Sequence, residues 1–261
     1  MSTVTLSAKV YNNSQLALVD KLLKSMFKGL KVETEINGTS ESGQVQITVS
    51  GEDEKAALRY LDAQIGLCPV LLENLERVST VKGHIKAFKE KELHVDIGIL
   101  SPRIFDAVIP LQRLQAQLVD GRRMELGKIA QLFGLLQNLP LWVKALSFSE
   151  EDPYVEAMLS ERQLNLYKSW VESLLDRLVV LGAPFNDVTR ALKWTKCNRD
   201  VVEIESLGLF EHAIVCKLDT KARGLIPKIG KKLRRADMSV FDPTEILRLL
   251  GYYREVQIEL S

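Results

Sequence analysis

"TVKGHIKAFKEKELHVDIG", Thr80 to Gly98, reads as two β-strands around the charged turn Lys89-Glu90-Lys91-Glu92. Leu93, Val95 and Ile97 fall on one face, and His94 and Asp96 on the other. That two-residue period is the mark of a strand with one buried side. The next apolar strand, in "FDAVIPLQRL", is stopped by Pro110, because proline brings no N–H to a ladder. Leu126, Ile129, Leu132, Phe133 and Leu136 then recur at helical spacing, and "LPLWVKALSFS" returns to a strand. Residues 77–150 are therefore expected to form one β-rich unit with inserted helices.

Upstream, "TVTLSAKVY" alternates as a half-buried strand, and Ser14 has the chemistry of an N-cap. Leu16, Val19, Leu22, Leu23 and Met26 follow at helical spacing as far as Gly29. Two more strands and the helix "EDEKAALRYLDAQIG" complete a β-α-β-β-α order over residues 1–76. A small α/β sandwich is expected there. Its strand "QVQITVS" lacks the aromatics on which an RRM stacks bases, and no G-x-x-G loop of a KH domain is present.

Downstream, Asp152 and Pro153 suit the start of a helix. Val155, Leu159, Leu166, Trp170, Leu174 and Leu178 suggest that it runs unbroken for about 42 Å. Residues 151–198 are thus expected to be a helical connector. Residues 199–261 read as a third unit: "DVVEIESLGLFEHAIVCKL" as paired strands, "GLIPKIG" as a strand stopped by proline, and "FDPTEI" as a capped helix. "YREVQIEL" reads as a closing strand.

The second and third units share an order. Ile109-Pro110 in "DAVIPLQRL" corresponds to Ile226-Pro227 in "RGLIPKIGKKL". With Gly83, Phe88 and His94 in one unit and Gly208, Phe210 and His212 in the other, the pattern resembles the ribosomal S-one-type OB-fold RNA-binding module. The chain as a whole also resembles an uncharacterised archaeal family carried as a domain of unknown function, through "RDVVEIESLGLFEHAIVCKLDTKARGLIPKIG" and "FDPTEI". That family implies no assigned activity. The fold class expected is α+β: the N-terminal sandwich, then two OB-like barrels joined by a long helix.

The formal net charge is only +1, yet Lys217 to Arg235 holds eight basic residues and one acid, Asp219. The module implies bases stacked on Phe210 and His212 and phosphates held by a basic groove. Lys217, Lys221, Arg223, Lys228, Lys231, Lys232, Arg234 and Arg235 supply the charge. The expected function is non-enzymatic RNA binding, or association with ribonucleoprotein or transcription machinery. Alternatives are a scaffold docking on a ribosome or RNA polymerase, and an enzyme on a small anionic ligand.

Other chemistry finds little support. "GLIPKIGKK" has five residues between its glycines and Lys232 where a phosphate loop needs Ser or Thr. Cys68, Cys197 and Cys216 are far apart, as are His84, His94 and His212, so no zinc spacing exists. No metal, cofactor or catalytic residue is expected. Trp142, Trp170 and Trp194 sit among apolar residues and are expected in the core. There is no membrane-length apolar run and no signal-like N-terminus, so a cytoplasmic location is expected.

Overall fold

The computed structural model describes residues 1–76 and 79–251. The segment "YREVQIEL" lies outside the described residues.

The N-terminal unit consists of β1 (Ser2–Lys9), α1 (Asn13–Met26), β2 (Val32–Thr39), β3 (Gln44–Gly51) and α2 (Glu54–Gln64). This is the β-α-β-β-α order read from the sequence. The sheet is antiparallel, in the order β1-β3-β2. Val19 and Leu23 of α1, with Ala57 and Leu61 of α2, bury one face of it against Val45, Ile47 and Val49. The N-cap of α1 is Asn12 rather than Ser14, and Asn12 makes no capping side-chain bond.

After the short β4 (Val70–Leu71), the chain builds β5 (Thr80–Lys89), β6 (Glu92–Ser101) and β7 (Phe105–Pro110). The helices α3 (Leu111–Leu118) and α4 (Leu126–Leu132) precede β8 (Pro140–Ser147) and β9 (Val155–Leu159). β5 pairs antiparallel with β6 and β8, β6 with β7, and β8 with β9. The parallel pairing of β7 with β9 closes a five-stranded barrel. A three-strand meander, a helical insertion and a returning strand pair make this barrel OB-like. Closure leaves these five strands no free edge. Inside, Ile85, Leu93, Val95, Ile97, Phe105 and Ile109 are fully buried.

Gly83 shows why the sequence suits closure. A Cβ there would lie 2.5 Å from the Asp96 carbonyl oxygen and 2.7 Å from Val95 Cγ1. Backbone cannot yield as a flexible side chain can, so Gly83→Val is expected to cost about 2–3 kcal/mol or more through overpacking. Urea denaturation checks this. An unchanged midpoint would mean that β5 and β6 approach less closely than described.

The third unit departs from expectation. No single long helix starts at Asp152. The segment holds β9, then α5 (Glu161–Glu172), β10 (Arg177–Leu181) and α6 (Phe185–Trp194). The cause is a shared spacing: residues four apart lie on one side of a helix and also on one face of a strand. Val155, Ala157 and Leu159 alternate as buried strand residues. Ser160 then caps α5, its Oγ accepting the Gln163 N–H at 3.3 Å.

Among the described residues, the third unit forms no second barrel. β11 (Val201–Ser206), β12 (Glu211–Cys216) and β13 (Asp237–Phe241) join β10 in an open antiparallel sheet, ordered β11-β12-β10-β13. The central strand β10 comes from the supposed connector. "GLIPKIG" is not a strand either. A short 3-10 turn, Ala222–Gly224, leads into α7 (Ile226–Gly230), which has Pro227 in its first turn. Proline suits both a strand's end and a helix's first turn, so Ile109-Pro110 and Ile226-Pro227 match in sequence but not in structure. α8 (Pro243–Leu250) follows, capped by Asp242 Oδ1, which accepts the Glu245 N–H at 3.0 Å.

Barrel and third unit share a core. Phe133 after α4, Tyr167 and Trp170 on α5, and Phe241 at the end of β13 pack ring on ring with centroids 5.1–6.1 Å apart. Among the described residues, no helix is long and apolar enough to cross a membrane.

Candidate nucleic-acid interface

The basic segment spans the connection from β12 to β13. Ala222, Leu225 and Ile229 are buried against the third unit's own core. Those anchors leave Lys228, Lys231, Lys232, Arg234 and Arg235 exposed. Lys217 and Arg223 are exposed as well.

Lys221 is spoken for. Its Nζ lies 3.3 Å from Asp176 Oδ1 and 3.4 Å from Asp242 Oδ2. Burial lowers its pKa, but the two carboxylates outweigh burial and the net shift is upward. Lys221 therefore ties the segment to the fold. Among the described residues, Lys231, Lys232, Arg234 and Arg235 make no ion pair.

Phe210 and His212 do not present ring faces to solvent. Phe210 packs into the core of the N-terminal unit at 3% exposure. His212 is fully buried, with Nε2 3.0 Å from the Ala183 carbonyl oxygen. Burial lowers its pKa and keeps the ring neutral. A carbonyl only accepts, so Nε2 carries the proton and Nδ1 is a bare acceptor. Nδ1 has no partner among the described residues.

Two exposed aromatics stand in their place, at the ends of α6. Trp194 is 64% exposed, and Lys232 Nζ lies 5.5 Å from its ring centroid. Phe185 is 46% exposed and meets the His212 ring edge-on at 5.8 Å. Trp170 is in the core as expected, Trp142 is half-buried, and Trp194 is not in the core at all. The signal was present in the sequence: the buried positions of α6 are Val188, Ala191 and Leu192, and Trp194 falls outside that stripe.

Two cavities meet at the start of α6. The first, about 350 Å³, lies between Lys232, Arg234 and Arg235, the first turns of α1, and Gly182 to Pro184. Two helix N-termini thus border it, with their partial positive charge. Asp187 is the acid on its wall, and it pairs with Arg190. The second, about 400 Å³, is lined by Ser7, Lys82, His84, Phe185, Glu211 and His212 among others.

The second cavity is rich in buried polar groups. Lys82 Nζ donates to the Leu207 carbonyl at 2.8 Å, and burial lowers its pKa. Burial, then the charges of Lys82 and Lys9, drive the His84 imidazole down to about 3. Its contribution to stability is present above the ordinary histidine value and is lost as pH falls from there towards 3.

Glu211 accepts the Tyr11 hydroxyl at 2.9 Å, and burial pushes its carboxyl up to about 7. At low pH the group is protonated in both states and costs nothing. Between the ordinary glutamate value and about 7 the unfolded chain ionises first, so stability falls as pH rises. The full cost above pH 7 is on the order of 3 kcal/mol. Glu211→Gln is expected to remove this slope, so that its stability relative to wild type climbs between about pH 5 and 8. Urea denaturation across that range tests this, and parallel pH profiles would contradict it.

The barrel's own outer face differs. Lys86 lies 2.9 Å from Asp106, and His94 Nε2 lies 3.2 Å from Glu92, while Lys89 and Lys91 are exposed at the β5–β6 turn. Among the described residues, no group of three or more His, Cys, Asp or Glu side chains is placed to hold a metal.

Sequence profiles of three domains match the chain: the DUF2110 N-terminal domain over residues 3–68, the DUF2110 central domain over 75–171 and the DUF2110 C-terminal domain over 175–241. No curated protein matches the sequence. Among solved structures, similarity is found to a provisionally assigned exosome complex RNA-binding protein. It is 12% identical, with 70% of this chain and 97% of that one covered and a TM-score of 0.26. The intact alpha subunit of aIF2 from Pyrococcus abyssi is 10% identical, with 64% and 97% covered and a TM-score of 0.26. A multidomain protein with nucleic acid binding domains from Streptococcus pneumoniae is 9% identical, with 87% and 54% covered and a TM-score of 0.23.

Proposed function

The chain belongs to the DUF2110 family, and we propose that it is a non-enzymatic RNA-binding protein that holds a single strand on the basic segment of its third unit. The observation that carries this reading is the exposed set Lys231, Lys232, Arg234 and Arg235, without ion pairs among the described residues, beside the exposed ring of Trp194. Unstructured RNA is held by cations that follow its phosphates and by aromatics on which bases stack. Both kinds of group are available here on adjoining elements.

Lys217, Arg223 and Lys228 extend the positive field, and Lys221 positions the segment. The OB-like barrel braces the third unit through the shared aromatic core. A ribonucleoprotein or the transcription machinery is the setting in which such a protein would meet its RNA.

Fluorescence-anisotropy titration with short single-stranded RNA tests the reading. Sub-micromolar binding at low salt is the expected result. Absence of binding at low salt would overturn it, and would favour the scaffold reading, with a protein partner on the same segment.

A further inference from the structure

The two cavities are neighbours by construction. Ala183 and Pro184 wall the basic one, and the next residue, Phe185, walls the polar one. On α1, Leu18 borders the first and Leu22 the second, one helical turn or about 6 Å apart along the axis. A phosphate held by Lys232, Arg234 or Arg235 would therefore sit a nucleotide's breadth from the mouth of the polar cavity.

That cavity holds what the edge of a base requires. His212 is among the residues that line it, and its buried ring meets Phe185 edge-on at 5.8 Å, backing the Phe185 ring at the mouth. Lys82 Nζ uses one proton on Leu207 and has two more to donate. Phe185 offers an exposed ring at the mouth. The Watson–Crick edge of every base carries both donors and acceptors, and every base has a face to stack. The volume of about 400 Å³ is in the range of small-molecule sites.

We infer that the cavity lined by Lys82, Phe185 and His212 receives one unstacked nucleobase of the RNA whose phosphates lie on Lys232, Arg234 and Arg235. This rests on the RNA reading above and adds a place for a base to it. The chain then reads RNA through a single splayed nucleotide at the junction of its three units, away from the outer face of the barrel. A shape-selective cavity also gives the protein a means of preferring one base, which the phosphate contacts lack.

The test compares a ten-nucleotide RNA with an abasic backbone of the same length, using wild type and Phe185→Ala in anisotropy titrations over a salt series. Phe185 is half exposed, so the variant is expected to fold, and a thermal melt verifies it. Phe185→Ala is expected to bind the base-bearing RNA roughly 5- to 100-fold more weakly. Its affinity for the abasic backbone and its salt slope should match wild type. If RNA binds with its salt slope but Phe185→Ala loses nothing, the nucleobase inference falls and the basic face stands. If wild type binds neither oligonucleotide at low salt, both fall together.

Discussion

Phe241→Ala is expected to lose about 3–5 kcal/mol of stability, the usual cost of removing a fully buried phenylalanine from a packed core. Phe241 is 0% exposed at the end of β13. Its ring stacks near-parallel on Tyr167 at 6.1 Å and meets Trp170 edge-on at 5.1 Å. Tyr167 and Trp170 lie on α5, and Phe133 follows a barrel helix. The cavity left by truncation would open where barrel and third unit join. The surrounding rings are held by both units and have little freedom to collapse into it. Phe241→Leu keeps most of the volume and should recover much of the loss. Urea denaturation of both variants gives the numbers. A loss below about 1 kcal/mol for the alanine variant would mean that the two units do not share a core.

The combined replacement of Lys231, Lys232, Arg234 and Arg235 by alanine has the largest expected effect on binding. If each cation neutralises one phosphate, the log–log salt slope should become shallower by about 0.7 for each phosphate no longer neutralised. Carried over one decade of salt, four such phosphates amount to an affinity loss on the order of 10²–10³-fold at about 0.1 M. Stability should barely change, because these side chains are exposed and make no ion pair among the described residues. Lys221→Ala makes a useful contrast. Its partners are Asp176 and Asp242, so its removal should disturb the fold of the segment more than its charge.

The parts of the fold that could be read from the sequence are those where one period dominates. The alternation of Leu93, Val95 and Ile97 against His94 and Asp96 is β6 of the barrel. The β-α-β-β-α order was equally open to reading. Reading failed where two periods coincide. Val155 and Leu159 fit a helix and a strand alike, and Leu178 to Leu181 is an apolar run with no period of its own. One misreading produced both the long connector and the second barrel, because the strand lost to the connector, β10, is an inner strand of the open sheet; the misplaced strand at "GLIPKIG" came separately, from proline's fit to both kinds of element.

At the site, local signals were legible and long-range ones were not. The basic residues stand out in the sequence, and most of them are exposed. The burial of Phe210 depends on the N-terminal unit, whose core it joins from some 200 residues away. The cavity beside His212 needs Ser7, Lys82 and Phe185 brought together by three separate units. No local pattern announces either.

The most direct test of the central claim is the salt dependence of RNA affinity for the wild-type protein. With three to five phosphates neutralised, the slope of log affinity against log salt should be about −2 to −4 on a single strand. A slope in that range, made shallow by the four-residue replacement, is what the account predicts. Binding that is absent at low salt, or that persists with a flat slope, would contradict it.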